Sequence, residues 1–229
     1  MEDSMGSAIR LRSAVALQGR FPVLSGVDLD LDQGRVMVVL GANGAGKTSL
    51  LRFLAGLVPI ASGRGEVLGA DLATSASDVR RRVGLLGHDA GLHDELTPLE
   101  NLAFALRASR LDPGRALPAL DRVGLSGRSV TTTVGQLSAG QRRRVGIALL
   151  VARRPQLWLL DEPHASLDEV TRSLVAEVVE EAASGGAAVV ASSHEPDLAV
   201  PMADVVATMG GGAVLAVVPG GRVGGGHVA

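Results

Sequence analysis

Nine consecutive residues, Gly41-Ala42-Asn43-Gly44-Ala45-Gly46-Lys47-Thr48-Ser49, combine three glycines with one ammonium and two hydroxyls. Gly44 and Gly46 let the backbone curl until successive N–H groups converge on one anion. A helix starting beside them adds the positive end of its dipole. That is chemistry for holding a β-phosphate, with Lys47 bridging to the γ-phosphate and the Thr48 hydroxyl offered to Mg²⁺. Lysine and arginine together number 22, and Lys47 is the one lysine. A compact ammonium reaches between phosphates where a planar guanidinium fits badly. A second constellation, Asp161-Glu162, follows the apolar run Leu157-Trp158-Leu159-Leu160. Asp161 is expected beside Thr48 as a metal ligand, direct or through water, and Glu162 one residue beyond as general base for an attacking water. The competing reading of such a pair is a solvated acidic turn after a strand; a phosphate loop in the same chain favours the site.

Those groups need elements to aim them. Val36–Leu40 is a continuous apolar run, the pattern of a strand covered on both faces, and it leads into the glycine loop. Leu50, Leu51, Leu54 and Leu57 then follow a helical spacing, so strand, loop and helix occur in the order a phosphate loop requires. Val27–Asp32 alternates apolar and acidic residues, predicting a half-buried strand. Val83–Leu86, Leu157–Leu160 and Ala187–Ala191 predict further strands, the last leading to Ser192-Ser193-His194. Leu92–Arg154 reads as helical, broken at Pro113-Gly114, Pro118 and Gly124, and Asp168 as the N-cap of a helix ending at Gly185-Gly186. Strands alternating with helices imply a mainly parallel sheet with a helical insertion.

A length of 229 residues fits one domain, and 46% hydrophobic residues supply its core. A net charge of −2 gives no basic field for nucleic acid, and the absence of cysteine excludes disulfides and thiolate chemistry. The acidic start, Met1-Glu2-Asp3-Ser4, shows no apolar run, so no signal peptide is expected. Val205–Gly221 lacks charge but contains Gly210-Gly211-Gly212 and Pro219, which predicts two short strands around a turn rather than a membrane span. The runs Arg80-Arg81-Arg82 and Arg142-Arg143-Arg144 read as solvated helix faces.

Leu137-Ser138-Ala139-Gly140-Gln141 precedes a long predicted helix, Arg142–Arg154, with Ser138 a candidate N-cap. It resembles the signature sequence of ABC ATPases, usually Leu-Ser-Gly-Gly-Gln, with Ala139 for the first glycine. With the phosphate loop, Asp161-Glu162 and a distal His194 in order, the resemblance covers about residues 10–215. It implies an α/β P-loop NTPase fold: a RecA-like core with an antiparallel N-terminal part, at about 1–88 and 155–215. A helical subdomain at about 89–154 and a C-terminal tail at 216–229 complete the expected layout. It implies an ATPase using ATP and Mg²⁺ that drives a separate membrane-spanning permease subunit from the cytoplasmic face of the cell membrane. By the same resemblance, two copies would sandwich two ATPs head to tail, with Ser138, Gly140 and Gln141 contacting the γ-phosphate held by the other. Ala165-Ser166-Leu167-Asp168 resembles the loop coupling the two sites, and His194 the switch histidine that touches the γ-phosphate and orders the attacking water.

Two positions depart from the family. His88 stands where most members carry a glutamine that ligates metal and water; it either fills that role or caps the strand before it. Phe21 is the sole upstream aromatic, and it either stacks on adenine or packs in the core. The family's soluble members, acting on DNA or ribosomes, carry a second cassette or a long coiled-coil insertion, and a small-molecule kinase leaves Leu137–Gln141 unexplained. Within transporters, Gly87–Leu92, Glu95–Leu102 and the alanine-bearing signature resemble the haem-exporter ATPase of cytochrome c maturation. Exporters of a drug, lipid or ion are the alternative.

Overall fold

A computed structural model describes residues 6–87, 90–164 and 167–222. The run Val36–Leu40 forms β3, and its side chains alternate between two cores. Met37 and Val39 join Ile9, Leu11, Phe53 and Val67 in one cluster. Val36 and Val38 join Leu102, Leu120, Ile147 and Val178 in the other. Leu157 and Leu159 against Trp158 and Leu160 in β7 (Leu157–Leu160) divide the same way, as does β8 (Ala188–Ser193). Burial on both faces is why these strands read as unbroken apolar runs.

The first core lies beneath an antiparallel sheet of order β2-β1-β4-β5. Its strands are β1 (Ser7–Gln18), β2 (Phe21–Asp32), β4 (Ile60–Val67) and β5 (Ala70–Asp71). In β2, Val27, Leu29 and Leu31 are buried while Asp28, Asp30 and Asp32 face outward, as their alternation predicts. The second sheet has the order β10-β9-β3-β8-β7-β6, with β6 (Val83–Leu86), β9 (Val205–Gly210) and β10 (Ala213–Pro219). The neighbours β9, β3, β8, β7 and β6 are parallel, and β10 is antiparallel to β9. The register pairs Leu40 with Ser193, Leu160 with Ala191 and Leu86 with Leu160. The C-terminal ends of β3, β8, β7 and β6 therefore lie along one sheet edge, where open α/β sheets bind ligands.

Between β6 and β7 come α3 (Pro98–Ala108), α4 (Ala116–Arg122), α5 (Arg128–Thr131) and α6 (Ala139–Arg153). The helices α1 (Lys47–Leu54), α2 (Ala76–Arg82), α7 (Glu169–Ser184) and α8 (Pro196–Ala199) complete the set. Among the described residues no helix is long and apolar enough to cross a membrane.

Three expectations need correction. Pro118 does not break a helix: it lies in the first turn of α4, where its missing N–H has no partner to lose. Residues 216–219 belong to β10 rather than a tail, and Arg222 is bound to Glu180 and Asp204 at 2.6–2.8 Å. The arginines of α6 are not a solvated face, because all three donate to backbone carbonyls.

Candidate functional site

The glycine loop joins β3 to α1 and needs glycine for two different reasons. Gly44 (φ 80°) and Gly46 (φ 104°) take left-handed backbone conformations, and Gly46 is the N-cap of α1. At Gly41 the reason is space: a Cβ there would lie 2.5 Å from the Met209 carbonyl oxygen. The loop is braced by the β9–β10 turn, where Gly211 and Gly212 both have positive φ, the pattern of a type I′ hairpin. Gly212 N–H donates to the Ala45 carbonyl at 3.0 Å, and the Gly212 carbonyl accepts from Ser25 N–H at 2.9 Å. As first-turn residues of α1, Lys47, Thr48 and Ser49 have N–H groups with no helical acceptor, so they are available to an anion.

A cleft of about 330 Å³ opens here, lined by Ala42 to Ser49 with Asp161 and Glu162. Lys47 is only 7% exposed and curls over its own loop, its Nζ donating to the Gly41 carbonyl at 2.7 Å. The same ammonium lies 3.6 Å from Glu162 Oε1. Thr48 Oγ1 donates to Asp161 Oδ2 at 2.8 Å, which puts two hard oxygen donors side by side at the floor of the cleft. That donor pair suits Mg²⁺, which prefers oxygen and keeps several of its waters.

Asp161 and Glu162 are held by the neighbouring strands. Asp161 N–H donates to the Leu86 carbonyl at 2.8 Å. Ser192, fully buried on β8, donates from Oγ to Asp161 Oδ1 at 2.6 Å, and Ser192 Oγ in turn accepts from Glu162 N–H at 3.0 Å. Glu162 has a left-handed backbone (φ 49°) without being glycine, a strained geometry that its surroundings must enforce. Its Oε2 lies 2.8 Å from His194 Nδ1, and His194 is half-exposed. The carboxylate thus sits between an ammonium and an imidazole.

The remaining expected residues lie elsewhere. Ser138 caps α6, its Oγ accepting from Gln141 N–H at 3.2 Å while Gln141 Oε1 accepts from Ser138 N–H at 3.0 Å. Gly140 lies between them, with open space around its Cβ position apart from Leu167 at 3.9 Å. None of the three lines the phosphate-loop cleft. Phe21 is 78% exposed at the β1–β2 turn, so it is not a core residue. His88 lies outside the described residues, as do Ala165 and Ser166. The residue reading missed Ser192 and Arg143. The one available signal for Ser192 was a buried apolar strand ending in two hydroxyls, and Arg143 gave none.

Residues 24–165 match the family described as ABC transporter, and the chain belongs to that family. It is an ATP-binding and ATP-hydrolysing subunit of an ABC transporter. It is 43% identical to the cytochrome c biogenesis ATP-binding export protein CcmA of Mesorhizobium japonicum, over 78% of this chain and 88% of that protein. It is 36% identical to the phosphonates import ATP-binding protein PhnC of Hyphomonas neptunium, over 85% of this chain and 80% of that protein. Among solved structures, a dimeric bacterial ABC transporter cassette superposes with a TM-score of 0.81 at 25% identity, covering 93% of this chain and 99% of that one.

Proposed function

We propose that this ATPase works as a head-to-tail dimer with Mg²⁺, peripheral to the cytoplasmic face of the membrane, and powers a membrane-spanning permease in the export step of cytochrome c biogenesis. The chain is read as one cassette, with its core at about 1–88 and 155–219 and its helical part at about 89–154. The observation that carries the hydrolytic reading is the Lys47–Glu162–His194 group above the Thr48–Asp161 oxygen pair.

The loop from Gly41 to Ser49 holds the triphosphate, Lys47 exchanging its present carbonyl acceptors for β- and γ-phosphate oxygens. Thr48 and Asp161 would hold Mg²⁺, which when bound would supply neutralisation of charge on the phosphate oxygens. Glu162 accepts the proton of the attacking water, oriented for it by His194. Phe21, exposed and upstream, stacks on adenine, and His88, which lies outside the described residues, takes the role of the family's glutamine. Ser138, Gly140 and Gln141 bring the N-terminus of α6 to the partner's γ-phosphate.

For cargo, the support is the likeness to export proteins of cytochrome c biogenesis together with the Gly87–Leu92 and Glu95–Leu102 stretches, and the finer reading is haem or a haem-related step. Deleting the gene should leave c-type cytochromes without covalent haem. Normal cytochrome maturation with another solute mishandled would leave only the general transporter reading. The similarity to a phosphonate importer supports that second reading.

A further inference from the structure

Three consecutive arginines follow Gln141, and each turns to a different neighbour. Arg142 Nε donates to the Val134 carbonyl at 3.1 Å, and its guanidinium also pairs with Asp94. Arg144 donates to the Gly124 carbonyl at 3.2 Å. Arg143 turns back onto the parallel sheet, where Nη1 donates to the Gly87 carbonyl at 2.7 Å and Nη2 to the Asp161 carbonyl at 2.6 Å. These two acceptors stand just beyond the ends of β6 and β7, and one planar fork spans them, which an ammonium cannot do. Burial lowers the guanidinium's pKa, while the charges of Asp161 and Glu162 act in the opposite sense.

The Asp161 carbonyl and the Glu162 N–H belong to one peptide group. Arg143 holds its oxygen and Ser192 Oγ holds its N–H at 3.0 Å, so the plane of that peptide is clamped from both ends. This is the peptide that leads into the left-handed backbone of Glu162. The clamp is carried by a helix with little freedom of its own. Residues 143, 146 and 150 share one face of α6. A Cβ added at Gly146 would lie 2.6 Å from Leu86 Cδ1, and one added at Gly84 would lie 2.4 Å from Leu150 Cδ2. The helix therefore lies hard against β6, with Arg143 at the end nearest the cleft.

We propose that Arg143 is a positioning residue for hydrolysis, making the aim of Glu162 depend on the placement of the helix that carries Ser138. The inference rests on Glu162 acting as the base. Because α6 is locked against β6, Arg143 fixes the plane of the Asp161–Glu162 peptide from the helix side, so the base is set by the helix that carries Ser138 as well as by its own strand.

The test uses the full-length chain with Arg143→Ala, Arg143→Gln and Arg143→Lys, and with Arg144→Gln as the control on the same helix. Phosphate release gives kcat and KM for ATP, and calorimetry gives the affinity for ADP. Arg143→Ala and Arg143→Gln should lower kcat by roughly 10- to 100-fold, as expected for a displaced catalytic group, with KM and ADP affinity within about twofold. Arg143→Lys should recover part of the rate through the one carbonyl it still reaches, and Arg144→Gln should leave kcat unchanged. A wild-type kcat in Arg143→Ala overturns the proposal, as does a parallel loss of kcat and ADP affinity. If Arg143→Ala does not fold, the same split in the lysine and glutamine variants decides. Normal turnover by Glu162→Gln would instead remove the base assignment on which the proposal stands, so the two failures are distinguishable.

Discussion

The edge of the parallel sheet and the N-terminus of α6 are both rich in polar groups, yet they differ in where their hydrogen bonds go. At the sheet edge the bonds run between distant segments: Thr48 to Asp161, Ser192 to Asp161, His194 to Glu162, Arg143 to Gly87. Each joins residues brought together only by the fold, and the result is a cleft with its cation, carboxylates and oxygen donors already in place. At the start of α6 the bonds close on themselves, Ser138 with Gln141 in a capping box. That end is a stable helix start, and the cleft of about 350 Å³ beside it, lined by Ala139, Arg142 and Arg143, shares no residue with the glycine-loop cleft. On the proposed function, the sheet edge holds nucleotide within one chain, and the α6 terminus meets its anion from the other protomer.

The largest expected effect lies on the complete side. Glu162→Gln removes the proton acceptor but keeps a side chain of the same size beside Lys47 and His194. Hydrolysis should slow by about 10²–10⁴-fold while nucleotide binding persists, and the nucleotide-bound dimer should accumulate in gel filtration. Wild-type turnover would remove Glu162 from the base role and leave the cleft a binding site alone.

The incomplete side is tested by complementation. Lys47→Ala chains and Ser138→Arg chains should each be inactive, one for want of a phosphate contact and the other for want of a signature. In a mixed dimer, one composite site pairs an intact loop with an intact α6 terminus, and the other carries both lesions. Mixing should restore ATPase above either parent. Mixed dimers, seen by co-purification of differently tagged chains, that stay as inactive as their parents would argue against shared sites.

The same contrast explains what could be read from residues alone. The loop from Gly41 to Thr48 was legible because its chemistry is contiguous, and Asp161-Glu162 because a buried strand ends beside it. Ser192 and Arg143 were not, since their partners lie 31, 56 and 18 residues away and nothing local marks them. The run Arg142–Arg144 departs from the solvated face that such charge runs usually form, because this helix is wedged between β6 and the helical layer. Pro118 is ambiguous for a smaller reason: a proline marks a helix boundary from either side, and this one sits just inside the start of α4.

The smallest effect concerns the caps of the two helices that flank the site, α6 and α7. Ser138 caps α6 with a neutral hydroxyl, while Asp168 caps α7 with a carboxylate whose Oδ1 accepts from Thr171 N–H at 2.7 Å. Hydrogen bonding by Thr171, first through its side chain and then through its backbone, holds the Asp168 carboxyl below its ordinary range, with Arg144 and Arg172 assisting. A folded-state pKa lowered in this way stabilises the protein above the unfolded value of about 3.9, and the contribution is lost as pH falls below that through the folded value. The Ser138 cap has no such dependence. Asp168→Asn keeps an acceptor oxygen for Thr171 but cannot ionise, so its melting temperature should fall by about one or two degrees at neutral pH. Below about pH 4 the two curves should converge, because the wild-type carboxylate is being protonated while the amide is indifferent. Glu180, also held low by its Arg222 partner, titrates in both proteins, so the difference between the curves isolates Asp168. Melting curves that stay parallel from pH 7 to pH 3 would show that the cap on α7 works by geometry alone, as the one on α6 does.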